Sequence, residues 1–432
     1  MFGFGQVFRP LDGTVAESAA RPEYVPAPDP IKRAEAGIPP DSTDDAPAAS
    51  SSDIRSIQVY PNIIFLSAGG QIARQIDLQR PAGTLSEIVN LVNDPDWIRN
   101  DEGVVTMSAA LILEPKVSVT ISAPVSKVVM EVRPGVYIGA KNAELFITGV
   151  TVEAADGNIP HDGEIGDGNR PFVVASDLSR MDIANSTFRY LGRDWHASYG
   201  VSWVRGSTGS AAGSTFEKSF IGAFTSRSRD IAFINNTFRE NVLFGLDPHT
   251  STTNLTVERN LAERNGHHGI IFADHVTGSR VRYNVVRDNG IDGIVMNFAS
   301  DQNLVENNEV ASNSGDGIVV SDSSANVVVG NVINGNRVGV RESGVSTQPN
   351  RFAGNIIRDN ARASQEVELG DGNTIGHNGH YWRPTAVLLL IGIITVALAV
   401  GLCLLTSWCR RDRERYMLCC TEQAARLKVG AA

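Results

Sequence analysis

The sequence predicts an all-β chain wound as a right-handed parallel β-helix of about 24 residues per coil, and three concordant series carry that prediction. Asn236, Asn260, Asn284, Asn308, Asn331 and Asn355 lie 24, 24, 24, 23 and 24 residues apart. Five residues after each comes a second asparagine: Asn241, Asn265, Asn289, Asn313, Asn336 and Asn360. Gly245, Gly269, Gly293, Gly317 and Gly339 follow in the same rhythm. A period of this length, with short β-rich segments and polar corners, is the mark of a solenoid. Helical repeats are excluded by β-branched runs such as ANVVVGNV and by Gly and Asn at every corner. Asparagines stacked at one corner can bond the coils above and below through their amides, so they are expected to form ladders.

The elements follow in chain order. Residues 1–54 are rich in Pro, Ala, Ser and Asp, bury too little apolar surface to offset chain entropy, and are expected to be disordered or a linker. Residues 55–103 read as an N-terminal cap, with a strand in VYPNIIFLSAG and a short amphipathic helix in GTLSEIVNLVNDPDW opened by Thr84 or Ser86. Residues 104–378 are the solenoid, in which Gly200 (YGVSW) and Gly222 (IGAFT) mark two weaker early coils. Residues 386–408 form an uncharged apolar run, long enough for a bilayer that needs ~20 residues. Arg410, Arg411, Arg413 and Arg415 follow, which places the tail 409–432 in the cytoplasm and the solenoid on the extracytoplasmic side of the cell membrane. The opening MFGFGQVFRPLDG has no signal-peptide pattern, and a misplaced start is the expected reason.

Composition narrows the function. The net charge of −10 argues against nucleic acid as a partner. All four cysteines, Cys403, Cys409, Cys419 and Cys420, follow residue 400, so the body carries no disulfide and no thiol ligand.

Aligning the coils on their glycines assigns faces. The apolar column Val201, Ala223, Leu246, Ile270, Ile294, Ile318 and Val340 points inward, as does the column two residues on. Between them, Ser202, Phe224, Asp247, Ile271, Val295 and Val319 are expected to face solvent. So is the column Val204, Ser226, His249, Ala273, Asn297 and Ser321. The stretch FGLDPHTS breaks the pattern, setting Asp247 and His249 on one outer face with Pro248 between them. Arg227 and, further down, Arg205 should lie below them, with Asp274, His275 and then Asn297 above. Tyr199, Phe244, His268, Asp292 and Asp316 precede the strands; the two aspartates suggest a column outside the core, with His268 accessible beside the groove.

The outer face of a β-helix is a shallow trough suited to an extended polymer. His249 has the pKa range of a general base, and Asp247 could orient its ring or hold charge. Arg227, Arg205 and His275 could neutralise a substrate carboxylate, which fits proton abstraction α to that group. Arg193, His196 and Tyr199 in YLGRDWHASYGVSW form a further candidate sugar contact, or a cap over the early coils. A metal held by His249, His267, His268 and His275 is disfavoured, because adjacent His267 and His268 point opposite ways on a strand. No cofactor or metal is expected.

With FGLDPHTS followed by HGIIFADHVTGS and DGIVMNFASDQNLVENNEV, the chain from about residue 180 to 360 resembles the mannuronan C-5 epimerases of the alginate pathway. The resemblance implies a right-handed β-helix that converts mannuronate to guluronate within the polymer, with His249 as the base, Asp247 beside it, and His268 matching a family histidine. Three departures accompany it. Thr250 stands where an aspartate usually follows the histidine, Asp274 where a carboxylate-neutralising arginine would fall, and Phe244 where tyrosine is frequent. The expected partner is an anionic polyuronate, and a polysaccharide synthase or secretion complex is a second. A polyuronate lyase, passing through the same intermediate, and a non-catalytic polysaccharide-binding β-helix are the alternatives.

Overall fold

The computed structural model describes residues 54–160, 169–194 and 197–378. The expected N-terminal linker (bar residue 54), the apolar run 386–408, the tail 409–432 and His196 lie outside the described residues. Among the described residues no helix is long and apolar enough to cross a membrane.

Three sheets run the length of a right-handed solenoid, with 14, 10 and 13 strands. Each coil gives one strand to each sheet, and like strands of successive coils pair in parallel. The first sheet begins with an antiparallel meander, Arg55–Val59, Ile63–Ala68 and Gln71–Asp77. Arg55–Val59 then pairs in parallel with Ala110–Leu113, which carries the sheet into the solenoid. Helix α1 (Leu85–Val92) starts at Thr84, whose hydroxyl accepts the Glu87 amide at 3.2 Å, and ends at Asn93 in the left-handed region. Its buried face, Leu85, Ile88, Val89 and Val92, packs on strands Ile98–Asp101 and Ser118–Ile121.

The asparagine series form the two ladders that the spacing predicts. Asn284 shows the unit: its amide nitrogen donates to the Val257 carbonyl and to Asn308 Oδ1, both at 2.9 Å. Its backbone N–H donates to Asn308 Oδ1 at 2.9 Å, while its own Oδ1 accepts from the backbone and side chain of Asn260. A corner that turns the chain leaves main-chain groups unpaired, and a buried unpaired group costs about 1–3 kcal/mol. One identical amide at each corner satisfies them, which is why the residue type repeats at strict spacing.

Inside, like stacks on like. Phe188, Phe216 and Phe238 stack at centroid distances of 5.3 and 5.1 Å. Outside, the third sheet bears an alternating column, Glu153, Arg189, Glu217, Arg239, Glu263 and Arg287, one residue per coil. Glu217 holds Arg239 at 2.6 Å and Glu263 holds Arg287 at 2.9 Å. Opposite charges on adjacent strands favour this register over a slipped one.

Gly245 shows why glycine precedes the strands of the first sheet. A Cβ there would meet the Gly269 carbonyl at 2.6 Å and the Asn265 amide at 2.8 Å. The second asparagine ladder and the first sheet approach each other closely at this point, and only glycine leaves room.

Candidate active site

Asp247, Pro248 and His249 lie in the strand Leu246–His249 of the first sheet, well inside its run of strands. Phe224 pairs with Asp247 and Ser226 with His249 on the coil below, and His249 pairs with Ala273 above. Two coils up, Asn297 occupies the His249 column. This is the register the glycine alignment predicts.

The exposure of that face differs from expectation. Phe224, Asp247, Ile271, Val295 and Val319 are buried, and the last three join Phe220, Ile221, Phe244 and Ala273 in a second apolar cluster apart from the main core. Tyr199, Val242 and Leu243, from the turns leading into these strands, pack against it. Strand alternation decides which face a side chain takes, but it does not decide whether neighbouring turns fold over that face. His268, expected to be accessible, is also buried. Its ring stacks on Phe244 at 5.4 Å, and its Nδ1 accepts the Asp292 amide at 3.2 Å. Nor do His267 and His268 point opposite ways, since both rings pack against Phe244 from a turn rather than a strand. Among the described residues, no group of three or more His, Cys, Asp or Glu side chains is placed to hold a metal ion.

The two central residues have contrasting surroundings. Asp247 is 3% exposed, and its Oδ1 has no hydrogen-bond partner among the described residues. Burial pushes its carboxyl up to about 8, so it is a neutral acid at pH 7. His249 is half-buried, with its ring 6.0 Å from that of Phe224. The described contacts of its Nδ1 are with Thr250, at 2.6 Å to the hydroxyl and 2.9 Å to the amide, rather than with Asp247. Of the two roles the sequence leaves open for Asp247, orienting the ring or holding charge, the described Nδ1 contacts do not supply the first.

Around this pair the other candidates divide. Asp274 and His275 join directly, Oδ1 to Nδ1 at 2.7 Å, with His275 largely exposed. Burial works to raise the Asp274 carboxyl, but hydrogen bonds from His275 and Thr250 and the charges of His249 and His275 outweigh it and hold the carboxyl below its ordinary range. Asn297 is buried, with Oδ1 accepting the Phe298 amide at 2.9 Å and Nδ2 unpaired among the described residues. Arg227 is exposed beside the coil below. Arg205, two coils down, faces Asp177 at 3.6 Å, which offsets its charge. Tyr199 packs edge-on to Phe224 at 4.7 Å. Arg193 lies over Phe172, 5.7 Å from the ring centre, three strands from His249. Burial lowers its pKa. The sequence reading passed over Asp292 and Asp316 as binding groups. They extend the His268 column, with Asp292 Oδ1 accepting the Asp316 amide at 2.6 Å and Asp316 pairing with Arg337 and Arg341.

A solenoid whose first sheet carries an Asp-Pro-His strand defines the class: a right-handed β-helix protein with a polar, partly buried centre on that sheet. A model of the right handed beta helix region matches residues 172–301, and one for the periplasmic copper-binding protein NosD matches residues 248–383. Beyond the class, the chain is similar to mannuronan C5-epimerases. It is 28% identical to the mannuronan C5-epimerase AlgG of Azotobacter vinelandii over 238 residues, 51% of this chain and 42% of that protein. It is 32% identical to a mannuronan C5-epimerase of Pseudomonas syringae pv. tomato over 123 residues, 26% of this chain and 23% of that one. The matched part thus spans less than half the length of these relatives. The crystal structure of the periplasmic alginate epimerase AlgG superposes with a TM-score of 0.57 at 20% identity, covering 68% of this chain and 82% of that one, which shows a shared fold.

Proposed function

We propose that this protein is a polyuronate C-5 epimerase that acts on mannuronate residues within an alginate-like polymer. The observation that carries the reading is the pairing, on one strand of the first sheet, of a half-buried histidine with a buried carboxyl that has no described hydrogen-bond partner at Oδ1. Sequence similarity to mannuronan C5-epimerases supports the same choice of chemistry.

In this reading His249 takes the C5 proton, and the electron pair of the broken C–H bond moves into the adjacent carboxylate to give an enolate-like dianion. Stabilising that charge is the main task of the site. Asp247, protonated at neutral pH, can donate its O–H to the substrate carboxylate from a dry position, where a hydrogen bond to developing charge is strengthened. The Asn297 amide, two coils up the sheet, supplies a second donor for a sugar unit there, and Arg227 lies exposed beside the coil below. Reprotonation from the opposite face inverts C5 and gives guluronate. The same intermediate could instead expel the group at C4, which would make the enzyme a lyase.

Incubation with polymannuronate in deuterated water separates these outcomes. The epimerase reading expects guluronate signals and deuterium at C5. Unsaturated ends absorbing in the ultraviolet would assign the lyase, and neither product on any polyuronate would overturn both. We further propose that residues 386–408 anchor the enzyme in the membrane, with the solenoid on the extracytoplasmic side, where a polysaccharide synthase or secretion complex would deliver the polymer. The support is the apolar run and the arginines behind it. Protease protection of the solenoid in intact cells and its loss on permeabilisation test this orientation.

A further inference from the structure

Each coil leaves the first sheet at a corner, and the corners carry a charge pattern along the solenoid. Lys116, Asn142, Leu178, Arg205, Arg227 and Thr250 occupy this corner on successive coils, each in the left-handed region with φ between 26° and 72°. Main-chain bonds stack them in register. The Lys116 amide donates to the Asn142 carbonyl at 3.1 Å, the Leu178 amide to the Arg205 carbonyl at 3.0 Å, and the Arg227 amide to the Thr250 carbonyl at 2.6 Å. The column continues upward, with the Ser251 amide donating to the Asp274 carbonyl at 2.8 Å and the Ala299 amide to the Asp322 carbonyl at 2.7 Å.

The sign of the corner changes at the His249 coil. Below it stand Arg227, Arg205 and Lys116, all exposed, with Lys141 exposed beside Asn142. Asp177 interrupts this stretch, 3.6 Å from Arg205, but the two side chains are 35% and 50% exposed. Water screens such a pair, so a ligand carboxylate can compete for the guanidinium. Above His249 the corner bears Asp274 and Asp322, and the cation there, His275 when protonated, is held by Asp274 at 2.7 Å. At the lower end Lys116, Asn142, Leu178 and Arg180 line a cavity of about 380 Å³, with Glu144 on its wall. Arg180 also holds Asp182 at 2.6 Å. Leu178 is 69% exposed and offers an apolar face for a sugar ring between the cations.

We propose that the polyuronate is held chiefly on the N-terminal side of His249, along this corner, with carboxylates at Arg227, Arg205, Lys141 and Lys116 and its far end at the Leu178 cavity. Successive coils are ~4.8 Å apart, close to the advance of one pyranose along an extended 1,4-linked chain, so each corner faces about one sugar unit. Toward the C-terminus Asn297 gives a neutral donor, but Asp274 and Asp322 repel a carboxylate within the ~8 Å screening length. Binding energy gathered on the remote units then serves to fix the reacting unit over His249. The inference rests on the epimerase reading for the identity of the polymer, but not for its path.

Calorimetric titration of the full-length protein with oligomannuronates of defined length tests the path without turnover. Affinity should rise with length to roughly six units, one for each coil from Thr250 down to Lys116, and then level off. The double variant Lys116→Gln/Lys141→Gln should bind the hexamer roughly 5- to 10-fold more weakly, with tetramer affinity and circular dichroism unchanged. Arg358→Gln removes an equally exposed charge from the third sheet and should bind every length as the wild type does. A double variant that binds the hexamer like the wild type overturns the path, as does an equal loss in Arg358→Gln, which would leave net charge as the cause. Levelling at the tetramer, or no binding of any oligomannuronate, overturns it too. Length-dependent binding as expected, with no deuterium entering C5, would instead refute the epimerase reading and leave the path standing.

Discussion

Replacing Asp247 by asparagine is expected to stabilise the protein at neutral and mildly alkaline pH while leaving it nearly unchanged near pH 4. Burial moves the Asp247 carboxyl from 3.8 to about 8. Between those values the folded chain keeps its proton while the unfolded chain has lost it. Unfolding therefore releases a proton and becomes easier as pH rises. Stability associated with this group is fully present below about pH 4 and is lost as pH climbs toward 8. Each unit is worth ~1.4 kcal/mol, so the loss is on the order of 5 kcal/mol by pH 8. Asparagine has the shape of the neutral acid and does not titrate, so it escapes the loss. Urea unfolding of wild type and Asp247→Asn, followed by circular dichroism at pH 4.5, 6 and 8, reads the effect as a gap in midpoint that widens with pH. A gap that stays constant across this range would refute the buried, neutral acid and with it the proposed donor to the substrate carboxylate.

Three further outcomes follow from the scaffold. Asn284→Ala removes four ladder hydrogen bonds and strands buried main-chain groups, so it should cost about 3–5 kcal/mol in urea unfolding. Gly245→Ala drives a Cβ to 2.6 Å from the Gly269 carbonyl, and should destabilise the fold and displace the strand bearing His249, read as a lower unfolding midpoint together with lost turnover. Glu217→Gln weakens the alternating charge column at its paired contact with Arg239; a loss of about 1 kcal/mol, shrinking in high salt, is expected from unfolding at two ionic strengths.

The coil register was legible because a ladder demands the same side chain at the same corner of every coil, so Asn236 to Asn355 print the geometry directly into the sequence. That register placed Asp247 beside Phe224 and His249 beside Ser226. What alternation could not show was the folding of Phe220, Phe244 and Tyr199 over the outer face, because contacts between turns follow no period. The same gap hid the burial of His268 and made Asp247 look like a solvated partner for His249. Arg193, a further candidate sugar contact or cap on the early coils by its sequence, lies over Phe172.

The central claim is that His249 removes the C5 proton of a polymer-bound uronate. Deuterium incorporation at C5 of polymannuronate, measured by mass spectrometry for wild type and for His249→Ala at matched folded concentration, tests it most directly. The account predicts steady incorporation by the wild type and a loss of at least about 10²-fold in the variant, with circular dichroism and polymer binding retained. Equal incorporation by the two proteins would contradict it.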